Sequence, residues 1–351
     1  GLFDVESELL GHKAATVHRR IPNKLLNFSM ALFNWPKIDA LSRAMAGVLQ
    51  KPDIFLSLNP YFGSATAGIK TIQVIHDCAE LIYPEFFSLK MRMSSKFFRL
   101  KEKLRHARFI VAPSKTTASD IEAFFPDTAG RICVISPGID MKIGTGFENC
   151  TAKDSTSQNI SQSDVRIKYG LPEKFILFLG TIEPRKNIPC LIEAFGALKN
   201  SNMHLVIAGR LGWKTKETLM AIAKSPARSR IKLIGYVDEA HKSTLYSMCS
   251  LFVYPSFYEG FGLPVLEALA CGTPTMAGAT SSINEYFGGA ALLFDPYKPF
   301  ELAALINNYL HSAEKIHPRA LRIATAHKFN WWKSAQALLI LINETGAGHT
   351  V

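Results

Sequence analysis

Leu251-Phe-Val-Tyr254-Pro-Ser-Phe-Tyr258-Glu259-Gly260-Phe261-Gly262-Leu263-Pro264-Val-Leu-Glu267-Ala-Leu-Ala-Cys-Gly272 reads as a strand, a glycine loop and a helix in that order. The opening apolar run is short enough for a buried strand, and the closing run ends on a glycine, the usual helix stop. Pro264 suits the first helical position, so the free amides of Gly262 and Leu263 are expected to point out of a helix N-terminus, where an anion binds. Gly260 and Gly262 remove side chains where a ligand must approach the backbone. Glu259 then lies at the loop mouth and Glu267 in the first helical turn, flanking a phosphate-sized hole. A second reading is that both glutamates are solvated and only favour the helix dipole, at about 0.3–1 kcal/mol each.

A carboxylate accepts hydrogen bonds from paired hydroxyls, so a diphosphate between two polyols, the shape of a nucleotide sugar, would use the whole arrangement. Upstream, Phe175-Ile-Leu-Phe-Leu-Gly180-Thr-Ile-Glu-Pro-Arg185-Lys186-Asn187 is another apolar strand that ends in a loop with two adjacent cations. Ligands of open α/β sheets bind beyond the C-terminal ends of strands, which places Arg185 and Lys186 to face the same diphosphate. As a plain exposed pair at a helix start they would be mildly unfavourable.

These segments resemble glycosyltransferase family 4, retaining enzymes with the two-domain GT-B fold. The resemblance is carried by Gly180-Thr-Ile-Glu-Pro-Arg-Lys-Asn187, Val206-Ile-Ala-Gly-Arg210, Leu233-Ile-Gly-Tyr-Val237, the paired-glutamate segment, Cys271-Gly-Thr-Pro274 and Phe294-Asp-Pro296, in the family's order. It runs from about Pro52 onward and is most specific in the C-terminal half. It implies that Glu259 contacts the donor sugar, Glu267 the ribose, Arg185 and Lys186 the diphosphate, and the backbone near Gly235 and Tyr236 the base. The implied donor-binding set is Gly180, Arg185, Lys186, Gly209, Gly235, Tyr236, Gly260, Phe261, Gly262, Leu263 and Glu267. His76-Asp77 follows the strand Thr71–Ile75 and, by the same resemblance, His76 points at the transferred sugar; without it, a lone histidine there is a structural hydrogen-bonding residue. The implied catalytic set is His76, Glu259, Arg185 and Lys186.

At 351 residues, 48% hydrophobic and 20% charged, the chain can fill two cores of ordinary size. Six scattered cysteines with no C-x-x-C pair indicate neither a zinc site nor a disulfide scaffold, which fits a reducing cytoplasm. A signal peptide and an apolar run of membrane-spanning length are both absent from the sequence. The net charge of +11 asks for an anionic partner. Its densest segment, Lys90 to Arg108, has Phe97, Leu100 and Leu104 at helical spacing and reads as a basic amphipathic helix. Such a helix either docks peripherally on the anionic inner face of the cell membrane or packs its stripe on its own domain. Nucleic-acid signatures are lacking.

Alternating strands and helices predict an α/β protein of two Rossmann-like, doubly wound domains with a cleft between them. Strands are expected at 54–58, 71–75, 108–112, 131–135, 175–179, 204–208, 232–234, 251–254 and near 273–276. Residues 1–164 form the N-terminal, acceptor-side domain, including a polar linker over 144–164; residues 165–325 form the nucleotide-sugar domain. By resemblance, residues 326–351 carry a last helix back to the first domain. Members of this family usually open with a strand and a glycine-rich loop that are not found here, and Gly1 is not a methionine. The expectation is a chain that starts inside its first domain, as a fragment, a processed form or a shortened product, with activity in question.

The implied reaction moves a hexose from a nucleotide diphosphate sugar to a glycan or polyprenyl-linked acceptor with retention, in cell-surface polysaccharide synthesis. The motif forms lean towards GDP-mannose, with other nucleotide sugars open, and no further cofactor is expected. No D-x-D occurs, so Arg185, Lys186 and the amides near Gly262 are expected to take a metal's place. The competing readings are a nucleotide-sugar epimerase or hydrolase, and a catalytically impaired nucleotide-sugar binder. A dinucleotide oxidoreductase is set aside because Gly144-Thr-Gly146 has the wrong spacing.

Overall fold

A computed structural model describes residues 37, 40, 52–60, 65–92, 99–139, 161–198, 202–311 and 316–346. The opening of the chain, Phe97 and most of the expected linker over 144–164 lie outside them. Two parallel sheets organise the molecule. The first has the order β1 (Ile54–Ser57), β2 (Lys70–Val74), β3 (Phe109–Ala112), β4 (Ile132–Val134). Helices α1 (Ala79–Ile82), α2 (Leu100–His106) and α3 (Lys115–Phe124) fall between its strands. Ser114 sets the start of α3, its Oγ accepting from the Thr117 amide at 3.0 Å.

The second sheet opens after α4 (Gln162–Tyr169), which Ser161 caps and Gly170 ends. Its strands are β5 (Phe175–Leu179), β6 (His204–Ala208), β7 (Ile231–Gly235), β8 (Leu251–Tyr254), β9 (Thr275–Gly278) and β10 (Leu292–Phe294). Spatially they run β10-β9-β8-β5-β6-β7. The chain therefore builds outward from β5 through β6 to β7, then returns to the other side of β5 with β8. All five residues of β5 are buried because helices cover both faces of the sheet. Each such side chain contributes about 1.5–3 kcal/mol relative to exposure. The connecting helices are α5 (Ile188–Gly196), α6 (Lys216–Lys224), α7 (Glu239–Met248), α8 (Leu263–Ala270), α9 (Ser281–Phe287), α10 (Pro299–His311) and α11 (Arg319–Ala326).

The last helix, α12 (Trp331–Gly346), lies on the first sheet, where Leu341 is buried with Ile72 and Val111. Ser334 Oγ donates to the Ser136 carbonyl at 2.7 Å and Lys70 Nζ to the Thr345 carbonyl at 2.7 Å. Beside this crossing, Ile139 and Asn330 pair in parallel.

Four expectations shift. Thr273 is not in a strand, because its amide still closes the end of α8 on the Ala268 carbonyl at 3.0 Å, and β9 begins at Thr275. The three-residue β10 was not foreseen. The single basic helix over 90–108 is interrupted, since Arg99 has left-handed backbone (φ 53°) and α2 starts at Leu100. Leu104 is buried and Leu100 packs on the first domain's core, so the described part of the apolar stripe faces inward. Finally, α8 begins at Leu263, which makes Pro264 its second residue and puts Glu267 beyond the first turn.

Candidate active site

The reversal of strand order between β5 and β8 leaves a crevice beyond their C-terminal ends, which is where open α/β sheets bind ligands. The loops that follow these two strands carry Gly180–Lys186 and Glu259–Gly262. A cleft of about 1100 Å³ opens there, walled on one side by both loops and on the other by Leu58, His76, Asp77, Val111 and Ile135 of the first domain and Trp331 of α12. Of the thirteen residues singled out from the sequence, twelve line it; Gly235, at the end of β7, does not, although its neighbour Tyr236 does.

At its centre three of them form one ion network. Glu259, 6% exposed, takes Lys186 Nζ at 2.5 Å on Oε1 and Arg185 Nη1 at 3.1 Å on Oε2. Ser256 Oγ donates to the same Oε1 at 2.6 Å. Burial alone would push the Glu259 carboxyl up, but the Arg185 and Lys186 charges overcome it and hold it down at about 2. The carboxylate is ionised throughout the neutral range and has no proton to give as a general acid. Lys186 also donates to Tyr254 Oη at 2.7 Å and sits 5.1 Å from the centre of that ring. Burial draws its ammonium below the ordinary value, with Glu259 opposing. Burial also works against the Arg185 charge, yet Glu259, Asp77 and Glu183 raise it above its ordinary value.

Glu267 is tied differently. Tyr246 Oη donates to its Oε2 at 2.8 Å, and Lys242 Nζ lies 4.0 Å from Oε1. Burial lifts this carboxyl above its ordinary value against the pull of Lys242. Both partners stand on α7, so the strand-to-helix connection from β7 sets the position of Glu267. At the far lip the Arg210 guanidinium stacks on the half-exposed ring of Tyr236, 4.2 Å from its centre.

Two glycines are fixed by close approach. A Cβ on Gly260 would lie 1.8 Å from the His76 carbonyl oxygen, so the glycine loop seats directly on the end of β2. A Cβ on Gly209 (φ 140°) would lie 1.8 Å from the Gly180 carbonyl oxygen, so Gly209 permits the loops after β5 and β6 to touch. His76 is exposed to the cleft, and its Nε2 lies 2.9 Å from the Leu58 carbonyl.

The two halves grip one another around this cleft. Glu285 of α9 accepts from the Lys115 and Thr116 amides, at 3.1 and 3.0 Å, at the start of α3. Tyr258 Oη donates to Asp120 at 2.6 Å, and Trp213 Nε1 to the Phe86 carbonyl at 2.8 Å. Sequence reasoning did not single out Glu183, Tyr246, Lys242, Ser256, Arg210 or Glu285. Glu183 had a legible signal, since it shares a short loop with Arg185, whereas the others depend on contacts between distant segments.

A crevice at the strand-order switch, with cations and carboxylates converging under a glycine loop and a second parallel-sheet domain across from it, is the arrangement of the GT-B fold. The family comparisons give the same answer: residues 4–142 match the model of Glycosyltransferase Family 4 and residues 162–326 that of Glycosyl transferases group 1, and the chain belongs to glycosyltransferase family 4. It is 30% identical over 292 residues to the serotype-specific mannosyltransferase WbdA of Escherichia coli, covering 80% of this chain and 35% of that protein. It is 29% identical over 267 residues to the O-antigen chain mannosyltransferase B of Escherichia coli, covering 75% and 67%. The chain thus spans about a third of the length of WbdA. Among solved structures, sucrose-phosphate synthase from Thermosynechococcus elongatus superposes with a TM-score of 0.71 at 20% identity, over 94% of this chain and 81% of that one. Anabaena HepE in complex with UDP and glucose gives 0.68 at 22%, over 88% and 81%. None of the described helices is long and apolar enough to cross a membrane.

Proposed function

We propose that this protein transfers a hexose, most simply mannose from GDP-mannose, to a glycan or polyprenyl-linked acceptor in cell-surface polysaccharide synthesis, with retention of anomeric configuration and without a metal. The observation that carries this reading is the Lys186–Glu259–Arg185 network at the strand-order switch. In that geometry the two cations stand where the departing diphosphate gathers charge, joined by the amides at the start of α8. Glu259, ionised and next to both, accepts hydrogen bonds from sugar hydroxyls and favours positive charge at the anomeric carbon. Glu267, held by Tyr246 and Lys242, accepts from the ribose hydroxyls. The Gly235 and Tyr236 backbone meets the base, while His76 and the apolar wall of the first domain face the sugar and the acceptor.

The mannose preference draws on the Escherichia coli relatives, both mannosyltransferases by name. Localisation at the cytoplasmic side of the membrane, with the basic residues around α2 facing the lipid surface, belongs to the same proposal. The test is turnover of GDP-mannose and UDP-glucose with and without mannosylated polyprenyl acceptors, the product anomer being read by NMR. Acceptor-dependent release of GDP with an α-linked product supports the transferase. Release without acceptor, or a 2-epimer product, identifies a hydrolase or an epimerase instead.

A further inference from the structure

A second buried carboxylate competes with a diphosphate for Arg185 of the cation pair. Glu183, 4% exposed, closes the loop after β5, and its Oε1 accepts both Nε of Arg185, at 3.1 Å, and Nη2, at 2.9 Å. The other guanidinium nitrogen, Nη1, gives its two protons to the Tyr258 carbonyl at 2.9 Å and to Glu259 at 3.1 Å. A guanidinium has five N–H groups. Four are committed among the described residues, which leaves one on Nη2, in a side chain that lines the cleft. With Glu183 and Glu259 against Arg185 and Lys186, the cluster's formal charges cancel.

A carboxylate beside a phosphate site weakens the attraction for the anion, so its presence calls for a compensating role. We propose that Glu183 is a positioning residue for diphosphate recognition: by holding two edges of Arg185 it fixes the plane of the guanidinium and presents the one uncommitted Nη2–H to the terminal phosphate of the donor. The proposal rests on reading the cleft as a nucleotide-sugar site. Glu183 itself touches no substrate and acts only through Arg185. Without it the guanidinium swings towards Glu259, the remaining carboxylate, and its free N–H is spent there.

The test uses the full chain and calorimetric titration with GDP, GMP, UDP and UMP, from which the ratio of diphosphate to monophosphate affinity is taken for the better-bound base. A wild type with no preference for diphosphate overturns the site reading itself, separately from Glu183. Given a wild-type preference, Glu183→Leu lowers the ratio at least tenfold. Glu183→Asp, which keeps the charge but is one methylene too short to span both N–H groups, does the same. Glu183→Gln, whose amide oxygen still accepts from both, stays within about threefold of wild type. In an Arg185→Lys background, Glu183→Leu costs less than a further threefold, because a residue acting through Arg185 is not additive with it. A preserved ratio in Glu183→Leu and Glu183→Asp, or a loss that adds to that of Arg185→Lys, overturns the proposal.

Discussion

Lys186 Nζ lies 2.5 Å from Glu259 Oε1, joining a residue of the loop after β5 to one of the loop after β8 across the point where strand order reverses. Each side chain is the reason the other is tolerated in a buried position, since an isolated charge there costs several kcal/mol. The pair that stabilises the sheet's crevice is also the pair that the proposed chemistry uses.

This pairing makes stability depend on acid. The Glu259 carboxyl falls from an ordinary 4.5 to about 2 in the folded protein. A depressed carboxyl stabilises the fold above its unfolded value and loses that contribution as pH falls through the folded one. Wild type therefore loses on the order of 3 kcal/mol between pH 4.5 and pH 2 from this group. Glu183 and Glu267 shift upward and act in the opposite sense, so the comparison to make is with Glu259→Gln. Chemical denaturation across this range should show a smaller acid loss in that variant.

Lys186→Ala removes one cation from a buried carboxylate and one donor from the site. Turnover is expected to fall about 10²–10³-fold. Stability also falls, by about 3 kcal/mol, because among the described residues Glu259 retains only Arg185 as an ionic partner. Arg185→Ala has a similar effect on turnover. Steady-state kinetics beside urea unfolding separate the two effects, and unaltered turnover in a folded variant contradicts the assignment.

Gly260→Ala brings a methyl onto the His76 carbonyl oxygen and must push the glycine loop off β2. The expected outcome is loss of nearly all turnover together with a lowered melting temperature. At Gly289 an added Cβ meets nothing within 4 Å, so Gly289→Ala serves as a neutral control.

Glu285→Ala leaves the first amides of α3 without their carboxylate cap across the domain boundary. Loss of a helix cap costs about 0.5–2 kcal/mol. Because this cap bridges two domains, the loss should appear as a wider separation of the halves in small-angle scattering, with the helical signal unchanged.

Much of the site was legible because its information is local. The glycine loop, its two glutamates and the Arg185-Lys186 pair each lie within a few residues of a fully apolar strand. Period and punctuation therefore mark their places at strand ends. Strands β5, β6 and β8 have the bounds read from the sequence, because burial on both faces gives them continuous apolar runs. What the sequence hid is pairing between segments far apart. Nothing near Glu259 indicates that it is shared by both cations, and nothing near Tyr246 indicates that its hydroxyl holds Glu267. The helix expected over 90–108 failed for a local reason, the left-handed Arg99, which a non-glycine residue rarely adopts and no motif announces.

The most direct measurement is the thermal unfolding of wild type, Arg185→Ala and Glu267→Ala with GDP, UDP and guanosine. A nucleotide at about 100 times its Kd adds about 2.7 kcal/mol to the stability of the fold. A rise in Tm with GDP that guanosine does not reproduce and that both variants lose is the predicted result; the same pattern with UDP keeps the site and replaces the base. No shift with either diphosphate, or a shift that survives in both variants, contradicts a nucleotide-diphosphate site in the crevice between β5 and β8.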